Sequence, residues 1–178
     1  MKRAPAARSG NIAVIVEDAN WKKRLRGACA RARRAATLAL PGGKGDMTIL
    51  LTSDRRMAAL NHLFRGKNKP TNVLSFPAAD SQDGYLGDIA VALGVLLREA
   101  KAEGKSPAEH LSHLVIHGTL HLLGYDHLSK AQANHMETLE TAVLARFGLS
   151  DPYRVRAPRA RRVPRGQRPV SRQRRRSV

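Results

Sequence analysis

The sequence is poor in cysteine, in aromatic residues and in long apolar runs. Its single cysteine, Cys29, excludes an intrachain disulfide. Aromatic residues make up only 4% of the 178 residues, whereas apolar residues make up 42%, so the core must be mainly aliphatic. No stretch approaches the roughly 20 apolar residues that span a bilayer. The basic N-terminus is not followed by the apolar segment of a secretion signal. We therefore expect a cytoplasmic protein with no membrane-spanning segment.

Acidic residues are also scarce, with fourteen against thirty-two basic ones, which gives a formal net charge of +18. Residues 152–178 contain eleven of the arginines and no acidic residue. Arginine pairs well with phosphate, so this imbalance indicates a polyanionic partner, which in the cytosol is usually nucleic acid. The same segment has four prolines and no apolar periodicity. These features predict a disordered arginine-rich tail over residues 154–178.

Apolar periodicity predicts a single α/β (α+β) domain over residues 11–153. Strands are expected at 11–17, 46–52, 72–76 and 85–93, and helices at 20–40, 54–64, 94–103, 107–123 and 130–147. In the second helix, Met57, Leu60 and Phe64 form the expected core-facing stripe. Ser106 is placed to cap the fourth helix, and Gly124 to end it in the left-handed conformation. The pattern predicts a small mixed sheet packed with about five helices.

Five of the seven histidines lie between positions 110 and 127. His117 and His121 are four residues apart on a predicted helix, so their rings leave the same face one turn apart. The helix then ends at Gly124, and His127 can supply a third ligand. Three imidazoles leave one tetrahedral position open, which is typical of a catalytic zinc site. His113 and His117 are also four residues apart, but only the 117/121 pair adjoins the turn to His127.

The position after His117 is a glycine, Gly118. Zinc peptidases with two histidines at this spacing carry a glutamate there as general base. Glycine supplies no base, but it permits close approach of another backbone. The peptidase interpretation therefore lacks its main catalytic group.

Residues 117–127 read His-Gly-Thr-Leu-His-Leu-Leu-Gly-Tyr-Asp-His. This run closely resembles the signature of the bacterial YbeY family of endoribonucleases, which are also called rRNA maturation factors. Residues 60–67 and 70–77 resemble a second sequence motif of the family, and residues 86–89 resemble a third. Residues 136–140 and 148–153 are similar to the C-terminal part of typical sequences of the family. The resemblance thus covers about residues 11–153 and does not extend to the tail.

The resemblance implies a metal-dependent, single-strand-specific endoribonuclease that acts in 16S rRNA 3′-end maturation and ribosome quality control on the small ribosomal subunit. It implies zinc as the metal, although three imidazoles also accept nickel or copper. It assigns a catalytic role to Arg65, whose guanidinium can hold a phosphodiester and stabilise developing charge. Asp126 is expected either to orient a ligand histidine or to cap the turn. Asp88 is expected to have a structural partner.

Two lining residues and two other functions remain as alternatives. Ser75 and Phe76 are candidates for the wall of an RNA cleft, with a core position favoured for Phe76. The chain could instead be another metallohydrolase, acting on peptides, or a non-catalytic RNA-binding ribosome assembly factor. These patterns make no prediction of the oligomeric state.

Overall fold

The computed structural model describes residues 10–79, 84–150 and 152–153. The predicted tail, residues 154–178, lies outside the described residues, so its predicted disorder stays a prediction. None of the helices within the described ranges is long and apolar enough to cross a membrane.

The described residues form four strands and six α-helices, which are interspersed along the chain. The strands are β1 (Ile12–Val16), β2 (Asp46–Thr52), β3 (Val73–Pro77) and β4 (Tyr85–Ala92). The helices are α1 (Asn20–Arg24), α2 (Ala28–Ala39), α3 (Asp54–Arg65), α4 (Leu93–Ala102), α5 (Pro107–Leu122) and α6 (Lys130–Phe147). A short 3₁₀ turn at Pro41–Gly43 connects α2 to β2. The predicted α/β class is therefore confirmed.

The strands form one mixed sheet in the order β1-β2-β4-β3. β1 pairs with β2 and β2 with β4 in parallel, with Val14 opposite Ile49 and Ile49 opposite Ile89. β3 is antiparallel to β4 at the edge, with Ser75 opposite Ile89. Parallel neighbours must be joined by a long crossover connection, and here the crossovers contain helices. The antiparallel neighbours β3 and β4 can be joined by a short connection.

The core lies mainly between one face of the sheet and the helices α2, α5 and α6. Ile49, Ile89 and Ile116 are fully buried there. A smaller apolar cluster around Met57 and Leu74 lies under α3 and α4. This arrangement places α5 directly against β4 and the edge strand β3, and α5 carries the histidines.

Two sequence predictions are corrected by the structure. The helix predicted over 20–40 is two helices, because Gly27 adopts a left-handed φ of 74° that an α-helix cannot contain. Trp21 anchors the first of them: it is fully buried and its indole nitrogen donates to the carbonyl oxygen of Thr52 at 2.9 Å. Phe64 was expected in the core but is 60% exposed, because the last turn of α3 extends beyond the small cluster around Met57.

Candidate metal centre

Both ends of α5 are defined by local sequence. At its start, Ser106 accepts a hydrogen bond from the backbone of Glu109, and the Glu109 side chain accepts one from the backbone of Ser106. This capping box has Pro107 at the first helical position, where no hydrogen-bond donor is needed. At the other end, Gly124 has a φ of 86°, which permits the chain to reverse direction after the helix.

The reversal after α5 is a Schellman turn. The backbone of Tyr125 donates to the carbonyl oxygen of Leu120, and that of Gly124 donates to the carbonyl oxygen of His121. Asp126 then accepts a hydrogen bond from the backbone nitrogen of His127 at 2.8 Å. Of the two roles expected for Asp126, the structure shows the turn-capping one. The turn brings His127 back beside the end of the helix.

The structure brings His117, His121 and His127 together. One ligand-type nitrogen from each lies within 4.8 Å of the other two. The ring centroids of His117 and His121 are 4.7 Å apart, and those of His121 and His127 are 5.1 Å apart. His117 and His121 are half-buried, and His127 is exposed. The three rings thus lie around one point, and the exposed side of His127 leaves that point open to solvent.

The donor chemistry of this cluster fits a divalent cation. The Nε2 atoms of His117 and His121 are 3.1 Å apart. Two nitrogens bound tetrahedrally to zinc at about 2.0–2.1 Å would be roughly 3.3 Å apart, so the observed spacing is close to that of two ligands. Burial lowers the pKa of His121, and the neighbouring His117 and His127 lower it further, which favours the neutral, metal-binding form of its imidazole.

Glu140 on α6 holds the first histidine in place. Its side chain is fully buried, and its Oε1 accepts a hydrogen bond from Nδ1 of His117 at 2.5 Å. Because His117 donates through Nδ1, the lone pair of its Nε2 faces the other two imidazoles. The second oxygen of Glu140 accepts a hydrogen bond from the hydroxyl of Tyr153 and lies 3.5 Å from Nε2 of His113. A carboxylate behind a ligand histidine is a recurrent feature of metal sites.

Glu140 remains ionised despite its burial. Burial raises its pKa, but the hydrogen bonds from His113 and His117 lower it by more, to about 2. Sequence reasoning had considered only Asp126 for the orienting role and missed Glu140. A signal was present, since Glu140 lies on the buried face of α6 with Met136, Val143 and Leu144. A carboxylate at a core position of a helix must have a partner.

Gly118 allows α5 to lie against the sheet. A methyl group added there would lie 3.0 Å from Cδ1 of Ile89 and 3.1 Å from Oγ of Ser75. Ser75 donates a hydrogen bond to the carbonyl oxygen of Gly118 at 3.2 Å. The close approach expected from the glycine is therefore observed, and there is no space for the glutamate of a zinc peptidase at this position.

The histidines open into a cleft of about 540 Å³ between α5 and β3. Arg65, at the end of α3, lines the same cleft, and its side chain is exposed. Among the described residues, no hydrogen bond or ion pair holds its guanidinium group. Ser75 also lines the cleft. Phe76 does not line it and packs instead against Phe64, with ring centroids 4.7 Å apart.

The other candidate residues have structural partners. His110 is buried, and its Nε2 lies 2.9 Å from Oε2 of Glu99. His113 lies behind the site, against Glu140. Asp88 is exposed and accepts a hydrogen bond from the hydroxyl of Tyr85 at 2.5 Å, the structural partner expected for it.

Comparison with known proteins agrees with the resemblance seen in the sequence. The family model described as endoribonuclease YbeY matches residues 9–148. A protein of that name from Azorhizobium caulinodans is 47% identical over 156 residues, which cover 82% of this chain and 98% of the relative. A second, from Paramagnetospirillum magneticum, is 43% identical, with 80% of this chain and 94% of the relative covered.

A solved structure is also similar. The solution structure of TM1509 from Thermotoga maritima matches with a TM-score of 0.50 and 27% identity, over 81% of this chain and 99% of that one. The structural match and the close relatives cover the whole region that holds the three histidines and Arg65. The chain belongs to the endoribonuclease YbeY family.

Proposed function

We propose that this chain is a metal-dependent endoribonuclease whose metal is held by His117, His121 and His127. The observation that carries the proposal is the convergence of these three imidazoles at one end of a cleft that Arg65 also lines. Membership of an endoribonuclease family supports RNA as the substrate, and the net charge of +18 suits a polyanion.

The metal is proposed to be zinc. Three neutral nitrogen ligands and an open fourth position suit zinc, and nickel or copper would also be accepted. Bound there, the cation would polarise a phosphoryl oxygen and lower the pKa of a water molecule towards about 7. The contribution of the protein is to hold the imidazoles in position: Glu140 orients His117, and the turn after α5 sets His127.

Arg65 is proposed to bind the phosphodiester. Its guanidinium group is exposed in the cleft and makes no competing ion pair with a described residue, so its N–H groups are available to phosphate oxygens. A positive charge at this position would also stabilise the charge that develops on the phosphoryl group in the transition state.

The substrate is proposed to be single-stranded RNA, specifically the 3′ end of the 16S rRNA precursor on the small ribosomal subunit, in the cytoplasm. The metal cleft is bounded by the helix α5 and by the edge strand β3. Because a single strand can present its phosphate with the bases turned outward, it can enter such a cleft more readily than a stacked duplex.

Metal analysis combined with an RNA cleavage assay tests the proposal. Purified protein should contain about one zinc-type ion per chain and should cleave a single-stranded oligonucleotide. His121→Ala should lose both the ion and the cleavage. His135→Ala is the matched control, because His135 is an exposed histidine on α6 outside the cluster.

Two results would count against the proposal in different ways. Full metal occupancy in His127→Ala would remove His127 from the ligand set. Metal binding without any RNA cleavage by the wild-type chain would favour a non-catalytic RNA-binding factor. A peptidase activity is disfavoured, because Gly118 occupies the position of the catalytic glutamate and the sheet leaves no space for one.

A further inference from the structure

A second cavity lies on the other side of His117 from the metal cleft. It has a volume of about 260 Å³ and is lined in part by Glu99, Glu103, His110 and Tyr153. It shares Asn72, Val73 and His117 with the metal cleft, so the two cavities are neighbours. A group in the second cavity would therefore lie next to the proposed metal centre.

The charge of this cavity is opposite to that of the protein as a whole. Glu99 lies in the last turns of α4 and Glu103 is the residue that caps its C-terminus, and both line the cavity. Burial raises the pKa of Glu103, but the hydrogen bond from Lys105 and the charges of Lys105, His110 and His113 together lower it overall, so this carboxylate is ionised at neutral pH. Lys105 pairs with Glu103, but the described residues that line the cavity include no lysine or arginine that could bind a phosphate. The cavity therefore does not suit the backbone of RNA, and its carboxylates accept hydrogen bonds from donors on a ligand instead.

Glu99 is the best-placed acceptor in the cavity. Its Oε2 accepts a hydrogen bond from Nδ2 of Asn72 at 3.0 Å and lies 2.9 Å from Nε2 of His110. These contacts hold the carboxylate in one orientation. No described residue bonds its Oε1, and the side chain is 35% exposed, so Oε1 is available to a ligand.

The remaining walls suit a flat heterocycle. Tyr153 contributes an aromatic ring, which stands edge-on to His113 with centroids 6.1 Å apart. Val73 and Leu114 contribute apolar surface. The volume is below the ~300–1,000 Å³ of pockets for drug-sized ligands, which suits one small planar group. Aromatic and apolar walls with one fixed hydrogen-bonding group are how proteins hold an unstacked RNA base.

We propose that this cavity is a nucleobase subsite, which takes a base next to the cleaved phosphodiester and prefers bases that carry an exocyclic amino group. Cytosine, adenine and guanine can donate to Oε1 of Glu99 through that group. Uracil has a carbonyl oxygen in place of the 4-amino group of cytosine, which a carboxylate repels, and it can donate only through N3–H. The proposal rests on the proposed function, since it requires RNA to be bound at the metal centre.

The test compares oligocytidylate with oligouridylate of equal length. Both bases are pyrimidines that differ at the 4-position and in whether N3 carries a hydrogen, and a homopolymer presents the same base in every register. With the metal-loaded, full-length chain, kcat/KM measured by internal competition should favour oligocytidylate by about three- to tenfold, the effect of one hydrogen bond. The difference should lie mainly in KM, because the contact is made to bound substrate.

Glu99→Gln should abolish or reverse the preference. The amide oxygen would accept from Asn72 and His110 as Oε2 does now, and the amide nitrogen would present a donor to the cavity, which suits uracil. Glu137→Gln is the matched control, because it removes the same charge from an exposed site on α6. It should leave the preference intact. If Glu99→Gln fails to fold, Glu103→Gln is the second variant. It should reduce the preference for oligocytidylate, because Glu103 lines the same cavity.

Equal cleavage of the two oligomers by the wild-type chain would overturn the subsite alone. So would a cytosine preference that survives in Glu99→Gln. Failure to cleave either oligomer would instead overturn the proposed function, and this proposal with it.

Discussion

At the scale of single residues, the proposed metal site depends on a side chain outside the three-histidine cluster. Glu140 is fully buried and connects His117, His113 and Tyr153. Removing a carboxylate that supports a ligand histidine typically weakens metal binding about 10- to 100-fold. Glu140 should therefore contribute to metal affinity without touching the metal.

Glu140→Gln should weaken metal binding within that range while leaving the three ligands in place. A neutral amide accepts a weaker hydrogen bond from His117 than a carboxylate does, so the ring is oriented less firmly. The measurement is a competition titration of the metal against a chelator. Glu137→Gln, on the exposed face of the same helix, is the control and should bind metal normally. Unchanged affinity in Glu140→Gln would show that the histidine needs no such support.

Arg65→Ala should retain the fold and the metal but lose most RNA cleavage, because the phosphate loses its counter-charge. Removing one donor that stabilises a transition state typically costs about 10²–10³ in kcat. Arg65→Lys should recover little, because an ammonium group does not reproduce the planar fork. Lys67→Ala changes an exposed charge two residues further along the chain and serves as the control. Cleavage at the wild-type rate by Arg65→Ala would exclude the arginine from the active site.

At the scale of elements, α5 supports the whole site. It packs against β3 and β4 on one side and presents His117 and His121 at its C-terminal end. The contact with the sheet is made through Gly118, which is buried. The position of these two imidazole rings is therefore tied to the distance between this helix and the sheet.

Gly118→Ala should destabilise the protein although alanine is the better helix former. The gain in helix propensity is about 1 kcal/mol, whereas overpacking typically costs about 1–3 kcal/mol. The added methyl group would press on Ile89 and Ser75, so we expect a net loss of about 1 kcal/mol and a fall in Tm of about 2–4 °C.

The double variant Gly118→Ala/Ile89→Val tests this explanation. It removes Cδ1 of Ile89, the atom nearest to the added methyl group. The combined loss of stability should be smaller than the sum of the two single losses. Thermal unfolding of the four proteins measures the difference, and strictly additive losses would show that the contact with Ile89 is not the cause.

At the scale of the whole molecule, charge is divided between the domain and the tail. Eleven of the thirty-two basic residues lie at 152–178, beyond the region that the family model matches. We propose that residues 154–178 bind RNA through its phosphates, separately from the catalytic cleft. Phosphate contacts position a nucleic acid without reading its sequence.

A chain that ends at Tyr153 should bind RNA more weakly and with a shallower dependence on salt, because each arginine that neutralises a phosphate releases a counterion. Turnover of a short oligonucleotide at saturation should be nearly unchanged, since the three histidines and Arg65 remain. Affinity measured over a range of salt concentrations separates the two effects. An unchanged salt slope would show that the tail does not tether RNA, and lost turnover with bound metal would place it in the active site.

Local sequence was sufficient to predict most of the elements. The strands, the capped start of α5, its end at Gly124 and the shared face of His117 and His121 all follow from periodicity and from residues within one or two turns. The break at Gly27 was missed, because the apolar spacing continues across it and burial of Trp21 under the sheet is a tertiary contact.

What only the tertiary structure decided is how distant parts of the chain meet. Glu140 reaches His117 across 23 positions of the sequence, and Arg65 reaches the same cleft from the end of α3. The second cavity joins residues of α4, α5, β3 and the end of the described chain. Spacing along the sequence sets which face of one helix a side chain occupies, whereas packing of α5 between the sheet and α6 sets which side chains face one another across the site.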